Sequence, residues 1–288
     1  MKNFIKKQNL LALLLIFSCV ALNNTLNACE KPKPLEEKWQ GRDPQQDLQL
    51  FIKQKGTCIG CNFVGLDLRS AVTQLTAEGH TINLVDSNLM NVNLSHICMP
   101  RSNLKRTNLD HTNFEHTNLA ESIFTDSRCH YTNFNNATLN RTSFAGAHIT
   151  LSQFKKANLQ DALFYRTYAS LTNFKKANML SVYAHVANFS FSNFTDADCH
   201  KGIFSSSTFN EINLRGTNLS NTDFSNAAVF PAYDNQYGNT LQYATLFKAC
   251  LLNTKFRKND INKKILHNAI DVHTIEIVDK KYLSIKIE

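Results

Sequence analysis

Apolar residues recur at every fifth position through most of this chain. If each is taken as the centre of a five-residue unit, thirty units run from Leu84 to Val229 without an insertion. The residue two before the centre is small in twenty-five units, and the residue directly before it is Asn in fifteen. A period of five fits neither a helix, with about 3.6 residues per turn, nor a strand, with its alternation of about two. Self-similarity at a fixed period predicts a stack of repeated units instead.

Units such as Ser87-Asn88-Leu89, Thr112-Asn113-Phe114 and Ala157-Asn158-Leu159 resemble the pentapeptide-repeat proteins. The resemblance covers residues 82–231 and implies an all-β solenoid. Its fold would be a right-handed quadrilateral parallel β-helix, with one unit on each side and about twenty residues in each coil. Large centres would fill the interior and small residues the inner corners. The Asn residues would suit tight turns, since Asn tolerates left-handed dihedrals and bonds its neighbouring backbone.

Phenylalanine is unevenly distributed among the centres. Ten of the twelve Phe centres fall at positions ending in 4, although only half of all centres do. In a four-sided coil, centres twenty apart would stack and centres ten apart would face each other. We therefore predict two opposed ladders inside the coils. One contains Phe114, Phe134, Phe154, Phe174 and Phe194; the other contains Phe124, Phe144, Phe164, Ala184, Phe204 and Phe224.

The segment before the regular units predicts an N-terminal cap. Residues 47–81 should contain this cap and irregular first coils, and residues 47–53 could form a short amphipathic helix over the open end of the core. An uncovered end would expose strand edges to other molecules. The cap would therefore limit end-to-end stacking.

The segments after residue 231 predict a loop and a second cap. The five-residue phase breaks in a loop at 232–240 and resumes two residues out of step over 241–256. Residues 257–288 should then close the C-terminal end. This cap is predicted to contain a short helix over 259–270 and a hairpin that pairs 274–278 with 282–287.

The N-terminus has the pattern of a bacterial secretory signal peptide over residues 1–28. Lysines at positions 2, 6 and 7 precede an apolar run over 10–22, which is too short to favour a permanent membrane span. A polar linker over 29–46 follows. We expect export to the periplasm, the outer membrane or the extracellular space.

The cleavage site determines whether the mature protein has a lipid anchor. Leu26-Asn27-Ala28-Cys29 resembles a lipobox, which implies lipidation of Cys29 and possible membrane attachment, although Asn27 departs from the usual small residue. Cys19 ends a second imperfect lipobox. Ordinary cleavage after Ala28 or Ala21 would leave a soluble protein.

Two cysteines open the repeat region. Cys58-Ile59-Gly60-Cys61 resembles the opening often found where pentapeptide repeats begin, and the two thiols are a candidate disulfide in an oxidising compartment. A packing role in the cap explains them equally well. Structural zinc would need a second pair, and thioredoxin-like chemistry would need a βαβ unit. Cys129 and Cys199 occupy centres and are interpreted as small hydrophobic residues.

Several outward positions carry large apolar residues in the same register. Four of them lie two residues after their centres on successive coils and form what we call the stripe: Tyr131, Leu151, Leu171 and Phe191. What we call the adjoining side adds Leu163, Tyr165, Tyr183 and Ile203, with Tyr168 near the shared corner. Contiguous exposed apolar surface marks interaction sites, so these residues are candidates for partner binding. Alternatively, they cover one another or lie beneath the 232–240 loop or a terminus.

The net charge and the histidines say little about which ligand or partner this chain binds. The net charge of +8 becomes +5 without residues 1–28, which contain three lysines and no acid. The side after the stripe carries a cluster of four lysines, Lys155, Lys156, Lys175 and Lys176. This cluster could be a solvated face, or it could attract anionic lipid or polysaccharide. His96 should stack on His116, with His111 and His130 on a neighbouring side. These histidines do not converge on one ion, and we expect no metal.

No grouping of nucleophile, base and acid stands out, and a convex rod lacks the concave pocket of most active sites. We therefore predict a non-enzymatic exported rod without cofactor, acting as a protein-binding or scaffold module through the stripe. It would bind an unknown protein or itself, and no nucleic acid. An enzymatic interpretation would rest on Cys58 and Cys61. The other alternative is a cytoplasmic topoisomerase-interacting protein, because some members of the resembled family mimic DNA and inhibit gyrase. Basic charge and a signal peptide disfavour it.

Overall fold

The computed structural model describes residues 38–231 continuously. Beyond them it describes 233–234, 238–239, 241, 244–246, 249–250, 255–257, 269 and 276–278. The chain forms two compact units, Met1–Gln40 and Gly41–Glu288. In the first unit, the Lys38 ammonium lies 5.7 Å from the centroid of the Trp39 ring. The signal peptide, Cys29 and nearly all of the predicted helix over 259–270 lie outside the described residues.

Helix α1, Pro44–Lys53, begins three residues before the predicted helix. Asp43 is its N-cap, and the carboxylate accepts a hydrogen bond from the Gln45 amide at 2.9 Å. Pro44 fits the first turn, where no amide donor is needed. On the inner face, Phe51 is fully buried and meets Phe63 edge-on at 5.7 Å. The helix thus packs its apolar face against the first coil.

A second helix, α2 (Arg69–Ala77), was not predicted. Val72 and Leu75 bury its inner face. It lies within the first coil and adds six residues to it, so Asp67 bridges to Asn93 across twenty-six positions instead of twenty. The irregular first coil therefore results from an inserted helix.

From residue 83 onward, parallel bridges join residues twenty apart. Asn83 pairs with Asn103, and the same spacing continues to the pair of Ile203 with Asp223. Each bridging residue directly precedes a centre, and all thirty centres are buried. One bridge on each of four sides per coil is the arrangement of the predicted quadrilateral parallel β-helix. The fold-class prediction is confirmed.

The structure corrects the predicted role of the Asn residues. Positive φ occurs at the second residue after the centre, such as Asn91 with φ 61°, and not at the Asn before the centre. That Asn lies in a bridge, and its side-chain oxygen accepts a hydrogen bond from the amide two residues later, as Asn88 does from Met90 at 3.2 Å. The expected bond to nearby backbone is present. The expected left-handed dihedral at Asn was wrong.

The small residues two before each centre lie inside the coils. Several are Thr or Ser, whose buried hydroxyls need partners. Thr112 donates to the Leu89 carbonyl and Thr132 to the Leu109 carbonyl, each at 2.7 Å and across twenty-three residues. These bonds join adjacent coils. The buried hydroxyls of this column therefore have partners within the coils.

Both Phe ladders are present. In the first, successive ring centroids from Phe114 to Phe194 are 4.7–5.2 Å apart. The second ladder meets the first edge-on, as Phe144 meets Phe154 at 5.7 Å. At Ala184 the second ladder lacks a ring, and Phe189 from the neighbouring column lies 6.2 Å from Phe164 and 6.0 Å from Phe204. A ring from another column thus fills the gap.

Beyond residue 207 the bridges lengthen into strands. Strands β1 (Thr208–Ile212), β2 (Ala228–Pro231), β5 (Lys255–Arg257) and β6 (Glu276–Val278) form a parallel sheet in that order. The bridge between Asn218 and Thr245 spans twenty-seven residues, which accounts for the two-residue change of phase.

The loop predicted at 232–240 contains a small antiparallel pair, β3 (Tyr233–Asp234) with β4 (Gly238–Asn239). The structure describes only part of the predicted hairpin. Its second half, 282–287, lies outside the described residues, and β6 in its first half pairs in parallel with β5. The described part of this cap therefore continues the parallel stack.

Candidate binding surfaces

The stripe runs along one corner of the β-helix. Its four residues, Tyr131, Leu151, Leu171 and Phe191, have φ values of 57°, 64°, 58° and 61°. Tyr131 and Phe191 are exposed, at 47% and 43%, whereas Leu151 and Leu171 are half-buried. The predicted alignment on successive coils is present. The Tyr131 and Phe191 rings therefore project from the two ends of the stripe, and the two leucines between them are partly covered.

Large apolar residues are poorly suited to these corner positions. The left-handed region brings the side chain close to the following carbonyl oxygen, which costs about 1–2 kcal/mol for residues other than Gly, with Asn and Asp least affected. The other three corners of the regular coils hold mainly polar residues and Gly, and Val186 is the one apolar exception among described residues. Packing of the core therefore does not account for the stripe.

The adjoining side presents three exposed residues in one bridge column. Leu163, Tyr183 and Ile203 pair in succession. Tyr165 is half-buried, with its ring 6.4 Å from that of Tyr183. The Arg166 guanidinium lies 5.1 Å from the Tyr165 ring. This column is continuous over three coils.

Tyr168 connects the adjoining side to the stripe. It is 52% exposed, and its ring stacks on His148 at 4.5 Å, on the side that ends at the stripe corner. Sequence reasoning missed Ile123, which is two coils below Leu163 in the same column, and Val186. The twenty-residue spacing was sufficient to find Ile123. Together these residues form an apolar surface over two neighbouring sides.

A polar cluster lies on the side that ends at the stripe corner, mainly in the coils before Tyr168. Asp110 is buried, accepts the His130 amide at 2.9 Å and pairs with the Arg128 guanidinium at 2.5 Å. Burial lowers the pKa of His130, with nearby Arg128 adding to this effect against the attraction of Asp110. Burial also lowers the pKa of His148, helped by His130. Both imidazoles are therefore neutral at pH 7, and the ion pair satisfies the buried carboxylate.

The other histidines form stacks. The His96 and His116 ring centroids are 4.8 Å apart, as predicted, and His111 stacks on Tyr131 at 4.8 Å. His111 lies one coil before Tyr131 at the same corner, so the apolar stripe is followed at that end by a polar ring. The structure places these residues in columns, where their rings contact one another across successive coils.

The two cysteines of the cap are joined by a disulfide, Cys58–Cys61. Nearby, both oxygens of the buried Asp47 accept hydrogen bonds from Arg42, at 2.8 and 2.6 Å, and one also accepts the Asn62 amide at 2.7 Å. Burial opposes ionisation of Asp47, but these hydrogen bonds keep the pKa of the carboxyl below its usual value. The network connects α1 to the first coil.

Asp47, Cys58 and Cys61 are also the one group among the described residues whose potential metal ligands gather within 4.8 Å. The carboxylate is already engaged by Arg42, and the sulfurs are bonded to each other. This arrangement suits a structural cap better than a cation site. Elsewhere, burial raises the pKa of the Cys129 thiol to about 12 and also raises that of Cys199. Both interior thiols are therefore protonated at neutral pH.

The groove beside α2 is shallow and open to solvent, and includes Arg69, Thr73 and His96 in its lining. Its lining also contains Asp67, Ser70 and Ser95, but among the described residues no hydrogen bond joins a hydroxyl of this lining to the His96 imidazole. In the described part of the chain, no helix is long and apolar enough to cross a membrane.

Comparisons with known proteins agree with the five-residue pattern. Residues 87–126, 127–164 and 203–228 match the family model described as Pentapeptide repeats, in eight copies. No curated protein matches the sequence.

Two solved structures are among those similar to this chain. The first is HetL, a pentapeptide repeat protein involved in heterocyst differentiation regulation, from the cyanobacterium Nostoc sp. strain PCC 7120. It is 17% identical, the match covers 80% of this chain and 89% of HetL, and the TM-score is 0.38. The second is QnrB1, a plasmid-mediated fluoroquinolone resistance protein. It is also 17% identical, with 76% and 92% covered and a TM-score of 0.41.

Proposed function

Because this chain is a pentapeptide-repeat protein, we propose that it works as an exported, non-enzymatic rod that binds a protein partner or a second copy of itself. The stripe and the adjoining side would form the contact surface. The coils would supply a rigid support that holds these side chains at fixed spacing. The N-terminal signal pattern supports export, and Cys29 supports a lipid anchor.

The observation that carries this proposal is the stripe itself. Four successive corners hold large apolar residues in a backbone conformation that favours Asn, Asp and Gly. The exposed rings of Tyr131 and Phe191 gain little from burial, so stability alone does not account for them. A partner that covers the stripe would offset the loss of solvation and explain the residue choice.

Charge favours this function over mimicry of DNA. Between residues 127 and 195 the chain has seven Lys or Arg and a single acid, Asp161, so the local net charge is +6. A DNA mimic needs an acidic surface to reproduce phosphate charge. The middle of this rod has the opposite sign, which supports a protein-binding role.

The stripe can be tested by replacing Leu151, Leu171 and Phe191 together with Asn. We expect self-association or partner capture to be lost, because the apolar contacts are removed. Folding should persist, since Asn relieves left-handed strain worth up to about 1 kcal/mol per position and partly offsets the lost packing. Sedimentation velocity measures self-association, affinity capture measures partner binding, and circular dichroism measures folding.

The matched control replaces Asp161, Ser181 and Lys201 with Asn. These residues have the same left-handed conformation on the diagonally opposite corner. The control should leave association and capture unchanged. Wild-type association and capture by the folded stripe variant would overturn the proposed contact surface.

Export is tested separately by the intact mass of the protein made in its native cell. We expect a mature chain that begins at Cys29, because both the lipobox and cleavage after Ala28 give that end. Added acyl mass would identify the lipid anchor, and its absence would identify a soluble exported protein. A chain with intact Met1 in the soluble cytoplasm would contradict export and support the topoisomerase alternative.

A further inference from the structure

Four lysines form what we call the lysine side, on the side after the stripe. Lys155, Lys156, Lys175 and Lys176 are all exposed and occupy two adjacent coils. The Lys156 amide donates to the Lys175 carbonyl at 3.0 Å, so the lysine pairs lie one above the other. In the order of sides around the coil, the lysine side is opposite the adjoining side with Leu163 and Tyr183. The cationic and apolar columns therefore face in opposite directions.

The charge pattern on this side differs from that of earlier coils. There, Arg106 pairs with Asp86 at 2.7 Å and Arg141 with Glu121 at 3.5 Å, each across twenty residues. On the lysine side, like charges stack on like, and no ion pair reaches these four ammonium groups within the described residues. Like charges on neighbouring strands are destabilising. An external anionic surface would relieve this repulsion.

The borders of the lysine side indicate which anionic surface fits. Its centre is a row of amides, where Asn173 donates to Gln153 at 3.0 Å. One edge is the stripe corner, where Phe191 is exposed and Leu171 is half-buried. Lysine beside aliphatic and aromatic side chains is typical of elements that lie at a bilayer interface. A soluble polyanion would neutralise the charge but would leave the apolar edge in water.

We propose that the lysine side docks on an anionic lipid bilayer. The ammonium groups contact the headgroups, and the apolar tips of the stripe corner reach the interface. This orientation turns the adjoining side, with Leu163, Tyr183 and Ile203, away from the bilayer and towards a partner. Docking would also occupy the stripe corner, so a partner would be bound in the docked state through the adjoining side alone. The proposal therefore goes beyond partner binding through the stripe. Docking would add to, and does not require, a lipid on Cys29.

The test is co-sedimentation of chains that begin at residue 29 with vesicles of phosphatidylcholine alone or with about 30% phosphatidylglycerol. All chains carry Cys29→Ser to exclude a lipid anchor. We expect binding to the anionic vesicles only, and its loss in high salt. Each lysine near such a surface contributes about a fivefold gain. Lys155→Gln with Lys175→Gln should therefore lower binding at least about tenfold.

Two further variants make the outcome specific. Lys105→Gln with Lys201→Gln removes the same charge elsewhere and should bind nearly as the unmodified chain does. Leu163→Ser with Tyr183→Ser should leave vesicle binding intact while weakening partner capture, so the two proposals fail separately. Docking is overturned if anionic vesicles do not bind, or if the Lys155 and Lys175 variant binds as tightly as its control. Binding to dextran sulfate without binding to vesicles would assign the side to a soluble polyanion.

Discussion

Replacing Phe154 with Ala is expected to lower the free energy of unfolding by about 3–5 kcal/mol. Its ring is fully buried and stacks on Phe134 at 4.7 Å and on Phe174 at 5.1 Å. Because both neighbours belong to one ladder, removing the ring leaves a cavity that the regular backbone cannot close. Chemical denaturation followed by circular dichroism measures the change.

The control for this prediction is Phe191→Ala, the same substitution at an exposed corner. It removes as many atoms but creates no interior cavity, so its cost should stay below about 1 kcal/mol. If the Phe154 variant lost no more stability than the Phe191 variant, stacking inside the coils would not be a main source of stability.

The second large effect is expected where the other ladder lacks a ring. Phe189 lies 6.2 Å from Phe164 and 6.0 Å from Phe204, in the space beside Ala184. Ala184→Phe should destabilise by about 1–3 kcal/mol through overpacking, and Phe189→Ala by about 3–5 kcal/mol through cavity formation. Thermal or chemical unfolding of the single and double variants measures both.

The double variant tests whether one space serves both rings. In Ala184→Phe with Phe189→Ala, a ring at 184 could occupy the space vacated beside Phe164 and Phe204. We expect the double variant to lose at least about 1 kcal/mol less than the sum of the single losses. Full recovery is not expected, because Phe189 also stacks on Phe209 at 5.3 Å. Additive losses, within about 0.5 kcal/mol, would show that the two positions do not share space.

Much of the repeat region could be predicted from the sequence, because each unit contacts only its neighbours. One apolar centre in every five residues defines the interior, and a spacing of twenty defines which residues stack. The two Phe ladders, which begin at Phe114 and Phe124, and the stack of His96 on His116 follow from that twenty-residue spacing. The candidate surface followed in the same way, since a fixed register makes Leu151 and Leu171 neighbours without any knowledge of loops.

The errors arose where local bonding or an insertion mattered. Asn tolerates left-handed dihedrals, but Asn88 instead satisfies the amide of Met90, while the neighbouring corner residue adopts positive φ. Helix α2 interrupts a coil without a clear change of composition. At the other end, the alternation over 274–278 indicated a strand, and within it Glu276–Val278 pairs in parallel with β5. That neighbour could not be predicted, because alternation does not specify which strand pairs with which.

The five-residue register by itself determined the β-helix, its buried centres and the stacking of residues twenty apart, because burial in a narrow solenoid requires a strict period. Only the tertiary structure decided how much of each outward side chain is covered. It left Phe191 and Tyr168 projecting but half-covered Leu171, because exposure depends on neighbours in adjacent coils. It also showed that the stripe occupies left-handed corners, because each of the four sides turns at the second residue after its centre.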